Sequence, residues 1–161
     1  GSLRGPQGFC QCRVCGTEVD SSNTTICSDP CIKGFRAQTD FEYLKKLVFE
    51  RDHGCCALCG LDTENLLAER TARLLTEDYD GRSAEFHAAK IILADWGLPV
   101  TRRVVLWDCD HIRPVVLEGD NSLENTRTLC LPCHKQETKQ LMKAMRGSGM
   151  LKRMRRAKFP R

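Results

Sequence analysis

The sequence predicts an α+β fold that is stabilised by metal ions bound to cysteine. Eight of the 11 cysteines form four short-spaced pairs, several segments carry apolar residues at helical spacing, and a β-branched run precedes a basic helix. With 41% hydrophobic residues among 161, the chain can build one modest core beside metal-stabilised lobes. It lacks the roughly 20 consecutive apolar residues that a membrane-spanning helix needs, so we expect no membrane segment.

The four cysteine pairs predict two structural zinc ions. Two thiolates a few residues apart can point at one tetrahedral ion, and two such pairs complete a four-cysteine site. An odd number of cysteines cannot be fully paired as disulfides within one chain, although a disulfide framework with a spare thiol is an alternative. Zinc-bound thiolates indicate a reducing compartment. The pairs are Cys12 with Cys15, Cys27 with Cys31, Cys56 with Cys59, and Cys130 with Cys133.

The spacing also predicts how the pairs combine. The first two lie within residues 12–31 and can close on one ion locally, which predicts an N-terminal zinc knuckle over residues 1–38. The other two must then meet across 70 intervening residues. That closure costs chain entropy, which metal binding offsets because its free energy becomes folding free energy. Cys10 could replace Cys12 as a ligand, and the sequence leaves this open.

The remaining helices and strands are predicted from the spacing of apolar residues and from the residues that begin and end such segments. Thr39 and Glu42 resemble a capping box that begins a helix over residues 40–51. Two helices are expected within residues 61–102, the second from about Ser83 to Trp96. A strand over 102–109, extended chain at 115–116 and a short strand over 126–129 follow, and a helix runs from about 132 to 146. The predicted organisation is a central domain over 39–147 with a helical insertion at 61–102, followed by a basic tail over 148–161.

Positive charge is concentrated at the end of the chain. Residues 126–161 contain 11 Lys and Arg against one acidic residue, a net charge of +10, whereas residues 1–125 sum to −6. Such a local potential attracts a phosphate backbone, and the alternative is a solvated helix face beside a nuclear import signal at 152–158. The candidate DNA-binding residues are Arg113, Arg127, Lys135, Lys139 and Lys143.

One segment carries residues suited to phosphodiester hydrolysis. Asp110 and His134 can offer an oxygen and a nitrogen to one divalent cation and leave other positions open. His111 points to the opposite face of the strand from Asp110, so it is available as a general base for water. The amide of Asn125 can pin the intervening loop and orient His111. These groups would supply an activated nucleophile and positive charge where negative charge develops.

These residues resemble the HNH (ββα-metal) endonucleases in their zinc-containing form. The resemblance covers residues 51–139 and rests on Arg51-Asp52, the two later cysteine pairs, Asp110-His111, Asn125 and His134. It implies that His111 is the general base, that Asn125 orients it, and that Asp110 and His134 bind a catalytic Mg²⁺ or Mn²⁺. It also implies that a zinc held by Cys56, Cys59, Cys130 and Cys133 braces the ββα core.

The whole chain is also similar to the nuclease domain of annealing helicase/endonucleases that carry a zinc-finger Ran-binding domain. This resemblance rests on the N-terminal cysteines and on Trp107 to His111. It implies a nuclear protein that acts on branched or forked DNA and binds the sliding clamp PCNA through its parent chain. We expect a monomer. The alternative hypothesis is a non-catalytic zinc module that binds DNA or protein.

Overall fold

The computed structural model describes residues 4–19, 25–75 and 81–148, which form two compact units that are each discontinuous in sequence. The first unit combines residues 1–52 with 111–127, and the second combines 53–110 with 128–161. Most of the predicted basic tail lies outside the described residues. The structure is a mixture of helices and short strands, as the α+β prediction requires. The predicted domain limits at 38 and 147 stay a prediction.

The first unit contains a small hairpin and two helices. Strands β1 (Cys10–Gln11) and β2 (Glu18–Val19) pair antiparallel, with Cys10 opposite Val19. Helix α1 (Asp29–Thr39) and helix α2 (Phe41–Asp52) follow and pack on each other. Leu44 and Val48, four residues apart on α2, are fully buried, as the predicted helical spacing requires.

The junction between α1 and α2 differs from the prediction. The helix over 40–51 is confirmed within one residue, but α1 was not expected, and the capping residue is Asp40. Its carboxylate accepts a hydrogen bond from the backbone N–H of Tyr43 at 3.1 Å. The Thr39 hydroxyl instead donates to the carbonyl of Phe35 inside α1, at 2.9 Å. Thr39 is therefore the last residue of one helix, and the predicted capping box is wrong.

The second unit is built around two helices of the insertion. Helix α3 (Thr63–Leu74) and helix α4 (Gly81–Asp95) are the two helices predicted within residues 61–102. Asp62 caps α3 by accepting from the N–H of Asn65 at 2.9 Å. The core between the helices consists of buried aliphatic side chains that recur at helical spacing: Leu67, Ala88, Ala89, Ile92, Leu93 and Leu106.

The strands and the last helix complete the described chain. Strands β3 (Trp107–His111) and β4 (Thr126–Cys130) form a two-stranded sheet, and α5 (Leu131–Gly147) follows β4 directly. The predicted strand over 126–129 and the predicted last helix are confirmed. No helix in the described part of the chain is both long and apolar enough to cross a membrane.

Two predicted extended segments are wrong. Residues 102–106 precede β3 and are not strand, because the Arg103 side chain folds back to donate to the carbonyls of Val105 and Trp107. Residues 115–116 form part of a 3₁₀ turn over Val115–Leu117, which ends at Glu118 with φ +63°. Pro114 supplies the carbonyl that accepts from the N–H of Leu117 at 2.8 Å.

Candidate metal centres and active site

The structure groups the eight paired cysteines into two clusters, as the spacing predicts. In each cluster four sulfur atoms lie within 4.8 Å of one another. The first tetrad is Cys12, Cys15, Cys27 and Cys31, and the second tetrad is Cys56, Cys59, Cys130 and Cys133. Cys10 lies on β1 and is not in the first tetrad, which answers the question that the sequence left open. All eleven cysteines are free thiols, so the disulfide alternative finds no support.

Both tetrads have the dimensions of a four-thiolate zinc site. Zn–S bonds of about 2.3 Å in a tetrahedron place neighbouring sulfurs about 3.8 Å apart. The observed separations are 3.3 Å between Cys15 and Cys27, 3.5 Å between Cys27 and Cys31, and 3.7 Å between Cys59 and Cys130. These three separations lie within about 0.5 Å of the tetrahedral value, and every separation within a tetrad is at most 4.8 Å, so the sulfurs can close on a zinc ion with small shifts.

The two tetrads share one backbone design at their first cysteine pair. The N–H of Cys12 donates to the carbonyl of Thr17, and the N–H of Gly16 donates back to the carbonyl of Cys12. The N–H of Cys56 likewise donates to Leu61, and Gly60 N–H donates to Cys56. Both turns need a left-handed residue, and glycine supplies it, with φ +76° at position 16 and +73° at position 60.

The second pair of each tetrad lies at the start of a helix. In α1, Cys27 precedes the helix and Cys31 is its third residue. In α5, Cys130 directly precedes the helix and Cys133 is its third residue. Both helices carry a proline at their second residue, where the missing N–H has no helical partner to lose. A turn and a helix N-terminus thus supply two sulfurs each.

The pKa values of the thiols in the second tetrad favour a bound cation. Burial raises the pKa of Cys56, but the backbone N–H groups of Cys130 and Cys59 outweigh it and lower the pKa to about 6. Burial and the neighbouring sulfurs raise the pKa of Cys133 to about 11 and that of Cys130 still further. One sulfur ionises readily while its neighbours keep their protons, so four thiolates need a metal ion to balance their charge.

The first tetrad shows the same electrostatic pattern. The backbone N–H of Cys15 is the main cause that lowers the pKa of Cys12, to about 6. Contact with the Ser28 hydroxyl lowers the pKa of Cys27, but the sulfurs of Cys15 and Cys31 outweigh it and raise the pKa to about 12. This cluster too is suited to a bound cation.

The second unit also holds the two predicted ligands of a catalytic ion. The Nε2 atom of His134 lies 3.9 Å from Oδ1 of Asp110, and both side chains are partly exposed. Neighbouring ligands with metal bonds of about 2.1 Å lie roughly 3.0–3.4 Å apart, so the two atoms must approach each other by about 0.5–0.9 Å to share one ion. The nitrogen and oxygen donors fit one divalent cation, whose other positions would face solvent.

A carboxylate that the sequence reasoning missed holds the other side of the imidazole. Asp108 Oδ2 lies 3.0 Å from Nδ1 of His134, and Arg103 donates to both oxygens of Asp108, at 2.6 and 3.4 Å. With Nδ1–H directed at Asp108, Nε2 keeps its lone pair for a metal. The signal was present in the sequence, because residues 108 and 110 of one strand point to the same face.

The protonation of this group follows from its partners. The hydrogen bond to Asp108 raises the pKa of His134 above its usual value, against the opposing effect of burial. Burial raises the pKa of Asp108, but the hydrogen bonds from His134 and Arg103 outweigh it and lower the pKa. Asp108 is therefore an anion at neutral pH, which favours the proton on Nδ1.

The first unit holds His111, the predicted general base. Its Nε2 atom lies 2.8 Å from Oδ1 of Asn121, and its ring stacks on Phe41 with centroids 6.2 Å apart. The Asn121 amide donates in turn to the carbonyl of Gln38 at 3.1 Å. Neither Asn121 nor Gln38 was expected, because a backbone carbonyl more than 70 positions away leaves no pattern in the sequence.

Asn125 is held by the loop and not by the His111 ring. Its Oδ1 accepts from the N–H of Arg113 at 2.9 Å, and its Nδ2 donates to the carbonyls of Arg113 and Asp120. A Cβ on Gly119 would overlap the Arg113 carbonyl, so the loop closes tightly here. Arg51 reinforces it by donating to the carbonyls of Leu123 and Thr126, at 2.6 and 2.8 Å.

The predicted DNA-binding residues occupy different surroundings. Lys135, Lys139 and Lys143 recur every four residues on α5 and are exposed, so they form one basic stripe. Arg113 is exposed but donates from Nε to the carbonyl of Leu117 at 2.6 Å. Arg127 is partly buried on β4. Only the α5 stripe therefore has the regular geometry that a phosphate backbone would meet.

Comparison with known proteins agrees with this geometry. Residues 99–140 match the HNH endonuclease family, and this span includes Asp108, Asp110, His111, Asn125 and His134. No solved structure gives a significant match to the chain.

Longer proteins resemble most of the chain. The DNA annealing helicase and endonuclease ZRANB3 of Mus musculus is 31% identical over 150 residues, which cover 83% of this chain. The ZRANB3 proteins of Bos taurus and Homo sapiens are 32% and 30% identical over 151 and 148 residues. The chain spans about 13% of the length of these relatives. It therefore carries an HNH endonuclease segment within a region that resembles part of ZRANB3.

Proposed function

We propose that this chain is a metal-dependent DNA endonuclease domain that hydrolyses phosphodiester bonds in branched or forked DNA. The observation that carries the proposal is the arrangement of His134, whose Nδ1 is held by Asp108 while its Nε2 faces Asp110. A structural pair of Asp108 and His134 alone would not explain why a second carboxylate, Asp110, faces Nε2 of the same ring. The match of residues 99–140 to the HNH endonucleases supports the same conclusion.

Asp110 and His134 would hold one Mg²⁺ or Mn²⁺. Such a cation, when bound, supplies positive charge for the departing 3′ oxygen. Arg103 keeps Asp108 ionised and in place, and Asp108 keeps the proton of His134 on Nδ1. In the neutral form of His134 this arrangement leaves Nε2 without a proton, which is the form that binds metal. The two tetrads would hold structural zinc ions that fix the elements around this group.

His111 would act as the general base. It would remove a proton from the water that attacks phosphorus in line with the leaving oxygen. Phe41 restricts the ring on one face by stacking, and Asn121 holds Nε2. Asn125 would act on His111 through the loop, since its amide ties residues 113 and 120 together.

The basic stripe on α5 would bind the DNA backbone. Its three lysines span eight residues, about 12 Å of helix, which is long enough to meet two or three phosphates of one strand. Arg113 and Arg127 are proposed as further contacts. Replacing Lys135, Lys139 and Lys143 by glutamine should flatten the dependence of log Kd on log salt by roughly 0.9 for each lost contact. An unchanged slope would place the DNA elsewhere.

We propose a role in the repair of replication forks, and the similarity to a DNA annealing helicase and endonuclease supports an action on DNA. A motor on a longer parent chain would deliver branched DNA to this domain in the nucleus. Binding to PCNA would come from motifs of that parent chain, and the domain itself would act as a monomer.

A cleavage assay with labelled forked DNA and Mg²⁺ tests the proposal. Wild type should cut, and His111→Ala should lower the single-turnover rate by about 10²–10⁴-fold, the usual contribution of a general base, with DNA affinity within a few-fold. His87→Ala is the matched control, because that ring lies on α4 of the second unit, where it contacts the carbonyl of Ser83 and the ring of Phe86. Tight DNA binding without cleavage, in the intact parent protein as well, would support the non-catalytic zinc module instead.

A further inference from the structure

We propose that Asn121 and the last turn of α1 position His111, so that the N-terminal zinc segment supports the active site. This inference rests on the proposed function, because it assigns a role in orienting the general base. All the residues concerned lie in the first unit, and none of the contacts was expected from the sequence.

The orientation of the Asn121 amide is fixed by a backbone carbonyl. Gln38 O can only accept a hydrogen bond, so the group of Asn121 that faces it at 3.1 Å must be the NH₂ group. The other end of the same amide, Oδ1, therefore faces His111. A flipped amide would put two acceptors together at Gln38 and is excluded on that ground.

This orientation determines where the proton of neutral His111 lies. Oδ1 of Asn121 can only accept, so Nε2 of His111 at 2.8 Å must be the donor. Nδ1 then carries the lone pair that a general base needs. The Phe41 ring, stacked at an interplanar angle of 21°, limits rotation of the imidazole away from this bond. Asn121 is thus a positioning residue that selects the tautomer.

The position of Gln38 depends in turn on the first tetrad. Helix α1 has eleven residues, buries only Ala37 and receives no side-chain hydrogen bond from its N-cap, Ser28. A helix this short is marginal without tertiary anchors. Cys31 supplies an anchor at its first turn, and Gln38 lies about 10 Å along the axis from it. A metal ion bound by the first tetrad would therefore hold the carbonyl that orients Asn121.

Nitrogen NMR of the intact chain with ¹⁵N-labelled histidine tests the tautomer directly and needs no nuclease activity. Wild-type His111, assigned by comparison with His111→Ala, should show a single Nε2–H tautomer whose proton exchanges slowly with water. Asn121→Ala should give faster exchange and a population of the Nδ1–H form. Asn121→Asp keeps an acceptor oxygen toward His111 but puts a second acceptor against the Gln38 carbonyl, so it should restore the Nε2–H form only in part. Asn65→Ala, which removes an exposed amide bonded to Glu69 on α3, should change nothing.

Kinetics supply a second readout. Asn121→Ala should lower the single-turnover rate by about 10–100-fold, less than loss of the base itself, and leave KM unchanged. Asn121→Asp should recover only part of that rate, because its carboxylate cannot donate to the Gln38 carbonyl. If the wild-type chain shows the single tautomer but does not cut DNA, the proposed nuclease function is wrong while the positioning of His111 by Asn121 still holds. Unchanged tautomer and exchange in Asn121→Ala would overturn the inference whatever the activity.

The zinc segment is tested by Cys31→Ser, with zinc content measured on the same sample. Loss of one zinc per chain together with the mixed tautomer of His111 is expected. Should this variant fail to fold, removal of the first zinc by a graded chelator titration gives the same comparison on the wild-type chain. Loss of that zinc with the tautomer of His111 intact would overturn the link between the first tetrad and the active site.

Discussion

The two cysteine tetrads share their backbone design but differ in what surrounds them. Each combines a glycine turn with a proline-containing helix start. The first tetrad closes over 20 residues and exposes two of its cysteines, Cys15 and Cys27. The second joins cysteine pairs separated by 70 residues, and its sulfurs pack against Leu129, which is fully buried. The same local chemistry therefore closes a local segment in one case and a long stretch of chain in the other.

The helices that leave the tetrads differ in the same way. In α5 the candidate metal ligand His134 directly follows Cys133, so the second tetrad and the imidazole share one helical turn. In α1 the group of interest is the carbonyl of Gln38, two turns from Cys31. We therefore expect damage to the second tetrad to act on stability and on the cation together, and damage to the first to act mainly on His111.

The largest effect is expected from the zinc ligands themselves. Cys130→Ser should abolish folding of the second unit, because structural zinc contributes about 10–16 kcal/mol, as much as a domain's whole stability. Cys27→Ser should lose one zinc and leave the second unit folded. Circular dichroism and zinc content, measured on the same samples, check the pair. Equal loss of helical signal in both variants would contradict the expectation that only the second tetrad is needed to fold the second unit.

Truncation of a buried aliphatic side chain should have the next largest effect on stability. Leu129→Ala leaves a cavity against Cys56 and Cys130 and should destabilise the chain by about 2–5 kcal/mol. Val19→Ala, at the hairpin of the first unit, should cost less, since Val19 is 9% exposed whereas Leu129 is fully buried. Urea unfolding monitored by circular dichroism, which reports the helices of both units, measures both. A larger shift for Val19→Ala would reverse the proposed order.

Loss of the carboxylate behind His134 should weaken the cation without disturbing zinc. Asp108→Asn leaves Arg103 and His134 without their common anion, and loss of such a partner typically costs 10–100-fold in metal affinity. Mn²⁺ binding by electron paramagnetic resonance measures the change. Asp95→Asn, which removes an exposed partner of Arg70, is the matched control. If both variants bind Mn²⁺ like wild type, Asp108 has no role in the cation site.

The smallest effect is expected at the two glycine turns. Gly16→Ala and Gly60→Ala each place a Cβ in open space, so only the left-handed backbone is strained, at a cost of about 1 kcal/mol. Both variants should release zinc to a competing chelator a few-fold more readily. Nearly equal changes in zinc release would support the conclusion that the two turns are equivalent. Unchanged zinc release in Gly60→Ala would show that other contacts determine the conformation of the second turn.

The sequence was most informative where chemistry is local. Cysteine spacing predicted both tetrads, and helical spacing predicted α2, the insertion helices and α5. Helix α1 escaped because it buries only Ala37 and so has no apolar stripe. The start of β3 was misplaced because Arg103 donates to the carbonyls of Val105 and Trp107, a side-chain contact that no periodicity encodes.

The candidate site was predicted in part for the same reason. Asp110 and His134 were named, and the structure brings them face to face. Asp108 could have been found from strand alternation. Asn121 could not, since its role depends on a carbonyl of α1, a helix the sequence did not indicate.

The metal content of the intact chain tests the central claim most directly, namely that two closed thiolate sites accompany one open cation site. Elemental analysis after mild chelation should find two zinc ions per chain. Added Mn²⁺ should then bind reversibly at one further site, and that site should disappear in His134→Ala while both zinc ions stay. A single zinc per chain, or Mn²⁺ binding that survives His134→Ala, would contradict the account.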